Sequence, residues 1–251
     1  MVPERGPLQA PRGRGGTLMA AASRRAGEST RRHYTPQRGD AMRFMERHWF
    51  DVGAGLGIVL IIWLAFTASS MTTLTLVLWL SLLSLFAHQV EEWRWPGWFP
   101  GMLNVVLFRS DDPWRFPLNV RSGLAVNVGV GWIGYLLAAL LAQNALWLGL
   151  ATVLVSLGNC ILHLIVIPIR GRMPYNPGMV TSLLLFAPIV VWFLVIAWPL
   201  MSVTDVVVGL VLGLILNIGG VVGLIRVLES RDAPPFEDRQ VLPAMRFARS
   251  S

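Results

Sequence analysis

The chain has no lysine: all 21 of its basic residues are arginine. That bias suits a GC-rich genome and carries no binding code of its own. It has one cysteine, Cys160, which excludes an intrachain disulfide and any Cys-x-x-Cys metal site. Charge is scarce, with 14% of the 251 residues ionisable as Asp, Glu, Lys or Arg, against about 25% in an ordinary soluble domain. Set beside repeated long apolar runs, that shortfall excludes a soluble globular protein and predicts an integral membrane one. No RNA- or DNA-binding motif accompanies the net charge of +7. The arginines are therefore read as a topology signal or a contact with anionic lipid, and nucleic acid is not expected as a partner.

What is present is a series of six apolar runs, at 52–68, 71–92, 122–143, 146–168, 179–201 and 204–228. Each is long enough to cross a bilayer as a helix. Ahead of them, residues 1–47 are rich in Arg, Gly, Pro and Ser, cannot bury a core and read as a disordered tail. An alternative start at Met42 or Met45 would remove the same segment. Residues 229–251 read as a second, loosely ordered tail. Between the second and third runs lies a long connection with Trp93, Trp95, Trp98 and Trp114. The tryptophans suit an interfacial belt. Inside the connection, residues 101–108 are apolar but too short to cross, and predict a re-entrant or interfacial helix.

Arginines alternate with the runs. They occur before the first, between the second and third, between the fourth and fifth, and after the sixth; the other three connections contain none. By the positive-inside rule this predicts an all-α bundle of six transmembrane helices with both termini cytoplasmic, in a plasma membrane.

Polar residues are few and gather at one depth. His88-Gln-Val-Glu91-Glu92 closes the second run, and on a helix both carboxylates share a face with His88. Acidic groups at a helix C-terminus oppose the macrodipole, and ionisable groups within a span mark a site. Asn127 lies in the third run. Asn159 and His163, four residues apart on one face, lie in the fourth. Tyr175-Asn176-Pro-Gly178 precedes the fifth. His88, Glu91, Glu92 and His163 form a plausible ligand set for a divalent transition metal, zinc or iron. Asn127, Asn159, Tyr175 and Asn176 would support the ligands or contact substrate. One glutamate could instead serve as general base, for which Glu92 is the candidate. Each position also has a plainer reading: a solvated helix cap for the triplet, packing for His163, helix-packing glue for Asn217, turn chemistry for Tyr175 to Gly178.

His88-Gln-Val-Glu-Glu92, taken with His163 and the Tyr175-Asn-Pro-Gly178 turn, resembles the HXXEE family, a set of uncharacterised bacterial integral membrane proteins. The resemblance implies a site at His88, Glu91, Glu92, His163 and Asn176 and implies no substrate. The motif is also similar to the inverted zinc-protease pattern His-x-x-Glu-His, with Glu92 in place of the second His, a departure that argues against protease chemistry.

The function expected from these residues is that of a metal-dependent membrane enzyme, a hydrolase or oxidoreductase, acting on a lipid or other hydrophobic small molecule. A transporter or ion-binding carrier using the same polar site is the alternative, although no internal repeat is visible. A structural or partner-binding membrane protein is the third reading.

Overall fold

The computed structural model describes residues 38–243. The expected disorder of residues 1–37 and the last part of the C-terminal tail lie outside the described residues. Within them the fold is all-helical, without strands. Six helices are long and apolar enough to cross a membrane: α1 (Gly39–Ser70), α2 (Thr73–Trp93), α4 (Val120–Asn144), α5 (Leu146–Gly171), α6 (Met179–Leu200) and α7 (Val203–Val227). A short helix, α3 (Phe99–Val106), sits in the long connection after α2. These helices support an integral, multi-pass membrane protein.

Local chemistry sets the helix starts. Thr72 caps α2 by accepting from Thr75 N–H. Asn119 and Ser122 form a reciprocal capping box on α4, and Ser202 and Asp205 do so on α7. Arg172, in the left-handed region at φ 50°, ends α5. α3, α5 and α6 start without a capping side chain, and α6 is preceded by Gly178 at φ 98°.

Burial ranks the helices. The apolar windows of α2 and α5 are 56% and 50% buried inside the protein, against 11–22% for the other four. α2 and α5 are thus the central pair, and α1, α4, α6 and α7 present most of their surface outward. Gly209 and Gly213 let α7 lie close against Leu150 and Leu154 of α5. One apolar cluster joins α2, α4, α5 and α6 at the end without arginines, around Val77, Val153 and Phe193. Another, at the arginine-bearing end, joins Trp49, Trp93, Met102, Ile167, Ile225 and Phe236.

Two boundaries differ from the sequence expectation. The first helix is already formed at Arg38, about three turns before residue 48. Met45 packs on the Trp49 cluster and Glu46 pairs with Arg121, so this stretch has partners that its composition does not announce. The segment after α7 is docked rather than loose as far as residue 243. Ala233, Phe236 and Val241 are buried, Phe236 N–H donates to Trp114 O, and Gln240 Nε2 donates to Trp93 O. The 101–108 stretch is the buried helix α3. Asn104, on it, closes the connection by donating to the carbonyls of Pro113 and Leu118 and accepting from Leu118 N–H.

Candidate metal centre

His88 and Glu92 stand one turn apart near the end of α2, and His163 reaches them from α5, 71 residues away from Glu92 in sequence. His163 Nε2 lies 3.1 Å from Glu92 Oε1 and His88 Nε2 lies 3.4 Å from the same oxygen. The two imidazoles meet edge to face, with ring centroids 4.9 Å apart. All three side chains are buried, and one ligand atom from each lies within 4.8 Å of the others. Phe99 packs against the ring of His163 and Phe186 against that of His88. These apolar walls lower the local dielectric and strengthen the electrostatics between the polar groups.

The outer nitrogens fix which atoms face inward. Asn176 Nδ2 donates to the His163 carbonyl at 2.9 Å, so its Oδ1, 2.7 Å from His163 Nδ1, must accept. His163 therefore carries a hydrogen on Nδ1. On the other side Thr181 donates its hydroxyl hydrogen to Glu91 Oε2 at 2.6 Å, so its oxygen, 2.8 Å from His88 Nδ1, accepts there. Both imidazoles thus direct an N–H outward and Nε2 toward Glu92. A proton on one Nε2 satisfies one contact with the carboxylate. It leaves His88 Nε2 buried with no hydrogen-bond partner, a cost of about 1–3 kcal/mol. A metal ion would serve both nitrogens and the oxygen together. Ligand atoms about 2.0–2.1 Å from a tetrahedral zinc lie about 3.4 Å from one another, close to the two separations from Glu92 Oε1.

Glu91 is placed elsewhere. Its carboxylate turns to the start of α6 and accepts from Val180 N–H, Thr181 N–H, the Thr181 hydroxyl and the Tyr175 hydroxyl. α6, which lacks a cap of its own, is capped by α2, and a carboxylate that opposes the α2 dipole is favoured by that of α6. With four donors, Glu91 is not among the converging atoms. Burial and the Glu91 charge both raise the Tyr175 hydroxyl above its ordinary range, so it stays protonated and donates. Asn176 holds His163, as described. Asn127 does not reach the imidazoles: its Oδ1 accepts from Gln89 Nε2 at 3.1 Å, and Gln89 Oε1 accepts from Trp132 Nε1 at 2.8 Å. Asn159 donates to the Val155 carbonyl, and with Asn127 it lines a cavity beside His88 and Glu92.

The sequence reading had not singled out Thr181, Phe99, Phe186 or Gly178 for this site. Thr181 had one available signal: an apolar span starting at 179 with no capping side chain of its own needs an outside acceptor, and Thr181 lies in that first turn. Gly178 packs directly on the His163 ring, where a Cβ would overlap it.

Residues 79–193 match the HXXEE family. The family is described as proteins of unknown function with an HXXEE motif. The HXXEE match begins in α2 and ends in α6, and takes in His88, Glu91, Glu92, His163, Asn176 and Thr181. It leaves out α1, α7 and the docked C-terminal segment. No curated protein and no solved structure matches the chain.

Proposed function

We propose that the protein is a metal-dependent membrane enzyme that acts on a lipid or other hydrophobic substrate. In this reading His88, Glu92 and His163 hold one divalent transition metal, with Thr181 and Asn176 fixing the two imidazoles. Two His and one carboxylate leave coordination positions for water or substrate, and the same set serves zinc in hydrolysis and non-haem iron in oxidation. Such a metal would polarise a carbonyl or acidify bound water. Glu92 is then a ligand. Glu91, held by four donors, acts through Thr181 on His88. The alternating arginines support a centre near the cytoplasmic leaflet of a plasma membrane, with both termini inside.

One observation carries the reading: two outward-tethered imidazoles from different helices turn their inner nitrogens on a single buried carboxylate oxygen. Imidazoles tethered in this way suit a resident ion better than one in transit. Elemental analysis of detergent-purified protein tests it. About one zinc or iron per chain is expected, lost in His88→Ala and His163→Ala while helical content is kept. Folded wild-type protein that holds no metal after incubation with either ion would overturn the proposal.

A further inference from the structure

Beside the metal centre lies a cavity of about 240 Å³. An engineered apolar cavity of roughly 150 Å³ already takes up benzene. Along α5 its lining runs from Thr152 to Leu162, about 15 Å at the helical rise. A space of this volume that runs along several helical turns is elongated. His88 and Glu92 form its reactive wall. At the far end Tyr135 and Ser156 hydrogen-bond each other and Thr152 donates to the carbonyls of Leu148 and Gly149. The asparagines between are largely committed as well: Asn127, Asn159 and Asn217 each donate to backbone carbonyls.

The α2 wall of the cavity is buried, whereas Val222 on α7 is 41% exposed, the most exposed of the lining residues. Gly220 abuts Val130 of α4. Two residues on, Val222 leaves α7 on the opposite flank. It is five residues, about 8 Å, inside the end of α7, within a helix apolar enough to cross a membrane.

We propose that this cavity is the substrate slot of the centre, and that the substrate is a single-chain acyl amphiphile drawn from the bilayer past Val222. Its oxygen-bearing head meets His88 and Glu92, and its chain lies toward Thr152 and Tyr135. The slot rests on the metal reading only for the chemistry at the head.

The test is photolabelling of the full chain in nanodiscs with diazirine-bearing palmitic acid, followed by peptide mapping. Label is expected on cavity-lining residues of α4, α5 and α7, displaced by palmitate and not by cholesterol. Val222→Trp, at an exposed position, is expected to cut this labelling at least tenfold with metal content unchanged. Leu216→Trp, which fills the slot from inside, should do the same. Label confined to the outer faces of α1 and α6, or unaffected by both variants, would overturn the slot. His88→Ala should lose metal and keep the label. Wild-type protein that labels in the cavity but binds no metal would sink the metal reading and leave the slot standing.

Discussion

Adjacent residues in the HXXEE motif do different things. Spacing alone puts Glu91 and Glu92 on the same side of α2 as His88, three and four residues on, and gives no ground for separating them. Their partners separate them: His163 from α5 takes Glu92, and the uncapped start of α6 takes Glu91. Both partners are more than 70 residues away, which is why the motif was legible and its division of roles was not. Thr181 links the two roles, since it gives a hydrogen to Glu91 and takes one from His88. Loss of such an outer tether typically lowers metal affinity about 10–100-fold. Thr181→Val is therefore expected to weaken metal retention by that order in chelator competition, and Thr181→Ser to restore it. Equal retention in wild type and Thr181→Val would show that the tether does not position His88.

The element that matters most for the site is the start of α6. Its first N–H groups are satisfied by a carboxylate from α2, so helix start and metal centre share a boundary. A charge at a helix N-terminus contributes typically 0.3–1 kcal/mol, and up to about 2 kcal/mol when partly buried. Glu91→Gln should lower thermal stability by about that amount and speed hydrogen exchange at Val180 and Thr181; unchanged exchange there would remove the capping account. Gly178 makes the same boundary from the other side. It combines φ 98° with direct contact on His163. Strain of that kind costs about 1–3 kcal/mol, and the added methyl must displace the imidazole. Gly178→Ala is expected to lose metal as well as stability, so a variant that melts lower with full metal content would count against His163 as a ligand. The spans themselves were readable because twenty-residue apolar runs have few other fates. The wide π turns were not. All four, at Ala125–Trp132, Leu162–Val166, Ser182–Phe186 and Leu216–Gly223, hold residues of the site or its cavity. The extra residue in such turns re-aims side chains, a use common at functional sites.

At the scale of the whole molecule, the HXXEE match covers the centre but not everything that encloses it. α7 supplies one cavity wall, and the segment after it closes the arginine-bearing end. Composition marked that segment as a tail because its apolar residues are few and separated by charge and proline. It docks because those few are placed well: Phe236 meets Trp93 edge to face, and Val241 lies against Gly101 of α3. Trp93 also packs on Trp49 of α1 and directly follows Glu92. The segment therefore bears on the end of α2, where the candidate ligands His88 and Glu92 stand. Phe236 is 1% exposed, and truncating a buried phenylalanine costs about 3–5 kcal/mol when the surroundings cannot collapse. Phe236→Ala should lower the thermal midpoint in detergent and loosen the end of α2, read as faster exchange at Trp93 and Arg94 and faster loss of metal to chelator. The α5–α7 interface near Gly209 and Gly213, at the opposite end, should keep wild-type exchange. If Phe236→Ala melts like wild type, the segment is a passenger on the bundle and α2 is held by α1 and α3 alone. If it melts early while metal is released at the wild-type rate, the segment stabilises the bundle without bracing the site.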